Sequence, residues 1–172
     1  MITKYNTSAV ILHWLIGFLL LFLLVTGTFI LSEIPNTLEK IGNLRIHMIL
    51  GIVVTILSII RIINIIKSKK PEDLQMSKLR LKLMKTNHVL IYVVVIAIGV
   101  SGILLAKTSL LGEMVFFGAN HELYDSFKNF TVGKIHGFLT KVLIFLIITH
   151  ILGVVSYSIK NKINITKRMW FK

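Results

Sequence analysis

Four blocks of this sequence are too long and too apolar to belong to a water-soluble core, and they limit the folds open to the chain. The first, residues 9–31, contains no charged residue. The second, 46–66, is interrupted by Arg61 near its end; the third covers 86–106, and the fourth, 133–158, carries Lys141 in its interior. About 20 apolar residues at 1.5 Å rise per residue cross the hydrocarbon layer of a bilayer, so each block is long enough for one crossing. At 55% hydrophobic and 16% charged residues, the chain departs from soluble domains, which average about 45–50% apolar and roughly 25% charged. The expected structure is an all-α integral membrane protein of one domain, 1–172, built as an up-down-up-down four-helix bundle. The first block lacks the short apolar stretch and small-residue cleavage site of a signal peptide, so it is expected to be retained.

The charges orient these spans. Lys67, Lys69, Lys70, Lys78, Arg80, Lys82 and Lys85 join the second span to the third, and Lys160, Lys162, Lys167, Arg168 and Lys172 follow the fourth. Positive loops stay inside, which predicts both termini on the cytoplasmic side. The opposite face carries a turn near 33–40 and a longer loop, 107–132, holding Glu113, Glu122 and Asp125, with Phe116, Phe117 and Tyr124 expected at the interface. The net charge of +13 lies beside apolar segments, which favours anionic lipid as its partner and argues against nucleic acid. Cysteine is absent, which excludes disulfides, thiolate-held iron–sulfur clusters, zinc-thiolate sites and C-x-x-C-H haem attachment.

Five of the six histidines, His13, His47, His88, His136 and His150, fall in or at the edges of the spans. A single such histidine is ordinarily an interfacial residue capped by a carbonyl; five with ordered spacing ask for another explanation. His136 and His150 are 14 residues apart, nearly four helical turns or about 21 Å, so they share a face at two depths. His47 enters the second span from the outer side, as His136 enters the fourth, while His13 enters the first from the inner side, nearer the level of His150. Two pairs at matching depths suit two haems, each iron taking imidazoles from opposite sides. His47 pairs with His136, and the inner partner of His150 is His13 or His88, which depth alone does not separate.

Small residues beside the histidines fit a flat ring between helices. Gly17 and Gly51 each follow a histidine by four positions on the same helical face, and Gly153 follows His150 by three. Glycine also serves close helix packing in membranes, and this is the ordinary reading for any one of them. Arg61 stands 14 residues after His47, at the inner level, where it can bind a haem propionate or snorkel to headgroups; the same alternatives hold for Lys141. No role is legible for His121.

Together, the opening Lys4-Tyr5, His13-Trp14, His47 with Gly51 and Arg61, His88 with Tyr92, the His136 and His150 pair, and the tail near Lys167-Arg168-Met169 resemble the bacterial and nickel-hydrogenase branch of cytochrome b561. The resemblance runs over nearly the whole chain. It implies a di-haem membrane cytochrome of the bacterial inner membrane, with iron ligands at His13, His47, His136 and His150, and so assigns the inner pair to His13 and His150. It leaves His88 to line the inner haem or a quinone pocket. The outer loop from 110 to 132 shows no motif of that family.

Two histidines on each iron leave no open coordination position, which points to outer-sphere electron transfer. The expected path runs between a donor and ubiquinone or menaquinone, with His88, Tyr92 and Arg80 as quinone contacts. The chain would work free-standing as a quinone-linked oxidoreductase, or as the cytochrome subunit of a hydrogenase or dehydrogenase with a periplasmic or membrane redox partner. A non-redox proton or metal-ion pathway is the alternative of another class; it would want an acidic partner for the histidines inside the spans, and there is none.

Overall fold

The computed structural model of the chain describes residues 4–69 and 71–171, and among these there are helices and no strands. Lys70 and Lys172, named above among the flanking cations, lie outside the described residues. Helix α1, Thr7–Val25, starts where the Asn6 side chain accepts a hydrogen bond from the Ala9 amide at 2.7 Å, a standard N-cap. It runs on through a wider π-helical turn, Thr26–Leu31. A 3-10 turn, Leu38–Lys40, leads into α2, Ile41–Lys67. Helix α3, Lys78–Thr108, is capped by Ser77, and α5, Thr131–Asn161, closes on Lys162 in the left-handed conformation.

Each of the four stretches Thr7–Leu31, Leu38–Lys67, Lys78–Thr108 and Thr131–Asn161 is long and apolar enough to cross a membrane. The four-helix architecture expected from hydropathy is therefore present, with longer helices than the apolar blocks. The largest difference is at α3, which begins at Lys78 and not near 86. Hydropathy registers only the lipid-facing part, whereas the hydrogen-bond ladder continues through Arg80, Lys82 and Lys85 until a cap satisfies its free amides.

The outer loop departs further from expectation, because it contains a short helix, α4, Leu111–Phe117. Leu111, Met114 and Val115 are buried, the spacing of one helical face. Leu111 and Val115 form a cluster with Leu31 and Leu44 that covers one end of the bundle. Leu110 enters α4 at φ 56° and Gly118 ends it at φ 68°, the latter a conformation that glycine adopts without steric cost. Phe117 and Tyr124 are exposed, as an interfacial position requires.

Lateral packing follows chain order, α1 on α2, α2 on α3, and α3 along α5. Gly99 permits the α2–α3 approach, since any Cβ there would run into the Thr55 side chain. The backbone of α5, by contrast, stands away from α1 and α2 along most of its length. One buried apolar layer ties all four helices at mid-height, formed by Ile16 and Leu23, Val54, Val94 and Val95, and Leu143 and Leu146. Phe18, Phe138 and Phe145 face outward, as lipid contact demands.

Both termini lie at one end. The Tyr5 amide donates to the Arg168 carbonyl at 3.2 Å, the Trp14 indole N–H to the Met169 carbonyl at 2.7 Å, and Arg168 to the Glu72 carbonyl. The 3-10 segment Ile165–Met169 thereby straps the start of α1 to the basic α2–α3 linker. At the opposite end the buried Lys40 ammonium donates to the Ile34 carbonyl at 2.7 Å and to Asn36 Oδ1 at 2.8 Å, fixing the short turn.

Candidate functional site

Three imidazoles converge toward the end that holds both termini, the inner level of the orientation expected from charge: His13 from α1, His88 from α3 and His150 from α5. The ring centres of His13 and His150 are 6.3 Å apart, and those of His88 and His150 are 4.9 Å apart. Two imidazoles holding one metal ion between them at about 2.0–2.1 Å would have ring centres roughly 6.4 Å apart. The first separation matches that span and the second is too short for it. His88 Nδ1 donates to the Met84 carbonyl at 2.7 Å; a carbonyl only accepts, so the proton is on Nδ1 and the lone pair on Nε2.

Arg61 is 5% exposed, so its guanidinium turns into the bundle and does not snorkel to headgroups. Its Nε donates to the Tyr92 hydroxyl at 2.6 Å and an Nη to the Ala9 carbonyl at 2.6 Å. One side chain of α2 thus braces α1 and α3 beside the inner histidines. Tyr92 is therefore occupied as an acceptor. Arg80 lies two turns nearer the inner end than His88, donating to Ser156 Oγ at 2.7 Å and stacked over the Tyr157 ring at 5.3 Å.

At the other level stand His47 of α2 and His136 of α5. Each ring rests on a glycine. A Cβ at Gly27, in the π-helical turn, would lie 3.1 Å from His47 Cε1, and one at Gly102 would lie 3.3 Å from His136 Cε1. His136 Nδ1 is 3.0 Å from Ser101 Oγ. His47 Nδ1 is buried with no hydrogen-bond partner, and leaving such a group unsatisfied costs about 1–3 kcal/mol.

The glycines of the four long helices, Gly17, Gly51 and Gly153 named from sequence among them, include two kinds. A Cβ at Gly17, Gly51, Gly137 or Gly153 would meet nothing within 4 Å, whereas at Gly99 and Gly133 it would collide with Thr55 and with the Phe127 backbone. Close helix packing accounts for the second kind only. Of the first kind, Gly17, Gly51 and Gly153 lie about one turn from His13, His47 and His150 and Gly137 adjoins His136, where the space open at each Cβ position leaves room for a flat ring. The residues present thus fit a haem, which asks two axial imidazoles and a slot of the protein. Among the described residues no group of three or more His, Asp or Glu side chains is arranged to hold a metal ion.

Two other sequence candidates stand elsewhere. His121 pairs with Glu113 at 2.9 Å on the outer loop, and Lys141 is exposed on α5. Sequence reading passed over Ser101, Gly102 and Gly27. A hydroxyl and a glycine side by side in the third apolar block were the available signal, since a polar group at membrane depth calls for a partner; no histidine of that span lies at the outer level to draw attention to them.

Comparison with curated proteins and with solved structures finds no match to the chain. The family model for prokaryotic cytochrome b561 matches residues 4–172. With its four spans and converging histidines, the chain belongs to the prokaryotic cytochrome b561 family, and is a multi-pass membrane b-type cytochrome of electron transfer.

Proposed function

We propose that the protein carries electrons across the bacterial inner membrane through two bis-histidine b haems, held by His13 with His150 at the inner level and by His47 with His136 at the outer. The observation that carries this reading is a coincidence of packing. Both pairs bridge α5 to α1 or α2, the helices from which its backbone stands apart, and open glycines flank both. Bound haem b supplies a one-electron ferric–ferrous couple. Two imidazoles at each level would hold each haem and leave its iron no open position, which would direct the chemistry away from binding oxygen.

The remaining residues set the path and its surroundings. His136 and His150 hold the two levels about 21 Å apart along one helix face, and the apolar layer of Val54, Val94, Leu143 and Leu146 between them excludes water. Arg61, beside the inner histidines, is the candidate partner for a propionate. A quinone, ubiquinone or menaquinone, meets the inner level, where His88 Nε2 offers a lone pair to a quinol proton and Tyr92 and Arg80 flank it. The electron donor docks on the outer loop, either a small reductant or the partner subunit of a hydrogenase or dehydrogenase. Lysines concentrated at the end that holds both termini support a cytoplasmic placement for that end.

The test is the dithionite-reduced minus oxidised spectrum of the detergent-purified protein, with a pyridine haemochrome count. Two b haems per chain are expected, and none after haem-replete expression refutes the reading. His47→Ala and His136→Ala should lose the same haem, and His13→Ala and His150→Ala the other; retention of both haems in any of them overturns the pairing.

A further inference from the structure

Ser101 of α3 is 5% exposed and makes two polar contacts through one oxygen. Its Oγ lies 2.9 Å from the Ile98 carbonyl and 3.0 Å from His136 Nδ1. A hydroxyl has one proton, and a carbonyl only accepts. The Ser101 proton therefore goes to Ile98, and toward His136 the hydroxyl offers a lone pair. His136 must then donate through Nδ1–H, which leaves the Nε2 lone pair free. Gly102, the next residue, lets the ring lie flat on α3, since a Cβ there would press on Cε1 and Nδ1 at 3.3 and 3.6 Å. Its opposite number at this level, His47, has no partner at Nδ1.

We propose that Ser101 is a positioning residue that fixes the tautomer of His136 and, through that hydrogen bond, lowers the reduction potential at the outer level. The inference rests on His136 being an axial ligand, as read above. A hydrogen bond donated from the distal ring nitrogen makes the ligating nitrogen a stronger base. A stronger base favours the ferric over the ferrous iron. His47 receives no such contact, so the hydrogen bond from His136 to Ser101 acts on the outer level from one side, and the inner level does not share it.

Redox titration of Ser101→Ala and Ser101→Thr against the unmutated protein tests this, with haem content measured alongside. Alanine keeps the helix and removes only the oxygen. It should raise one of two resolved midpoint potentials by about a tenfold change in the ferric–ferrous equilibrium, about 59 mV for one electron, with the other unmoved. Threonine restores the hydroxyl and should restore the potential. Unchanged potentials in Ser101→Ala, equal shifts of both components, or failure of threonine to restore the value would each overturn the proposal. A haemochrome count below two in the unmutated protein would instead overturn the ligand assignment beneath it.

Discussion

Substituting Gly51 by leucine distinguishes a glycine kept for a cofactor from one kept for helix packing. A Cβ at Gly51 meets nothing within 4 Å, so the new side chain starts into open space. The helix itself gains roughly 0.8 kcal/mol, because glycine is the poorer helix former. If the space is the haem slot, four added carbons overpack it at a cost of about 1–3 kcal/mol, which is about 5–150-fold in haem affinity. Gly51→Leu should therefore lose the outer haem while its thermal midpoint in haem-free form holds or rises, and Gly17→Leu should do the same at the inner level. Gly99→Ala is the opposite control, since its Cβ would come within 2.9 Å of Thr55 Cγ2; it should lose about 1–3 kcal/mol of stability and keep the haem count. The assays are haemochrome stoichiometry per chain and circular dichroism melts in detergent. Full haem in Gly51→Leu, or unfolding of its haem-free form, would refute the assignment of that space.

Three further outcomes are expected. Arg61→Met removes the bonds to Tyr92 and Ala9, each worth about 1.5–3 kcal/mol as a charge-assisted contact; its melting temperature should fall well below that of Tyr92→Phe, and equal melts would refute the brace. Trp14→Phe removes the hydrogen bond to Met169, about 0.5–1.5 kcal/mol, and should speed trypsin cleavage near Lys167 and Arg168 without changing the melt of the bundle. Lys40→Met frees the Ile34 and Asn36 acceptors and should raise amide exchange in the 33–40 turn while exchange near His13 stays as it was.

Much of this protein was determined by its sequence alone. Four long apolar blocks leave the backbone no hydrogen-bonding partner in lipid except itself, so helix and crossing number follow from composition and length. The 3.6-residue period likewise puts His136 and His150 on one face, and it required no packing information. Ends and partners were different. The start of α3 at Lys78 and the existence of α4 depend on caps and on Leu111, Met114 and Val115 finding the apolar end of the bundle, which local hydropathy does not report. Depth along the helices left His13 and His88 as equals beside His150, and only the resemblance favoured His13; their separations of 6.3 and 4.9 Å come from how α1 and α3 are placed about α5. Which glycines face open space and which face Thr55 or Phe127 was likewise decided by tertiary structure. A helix's own period says which residues share a face, but only the neighbouring helices decide what that face meets.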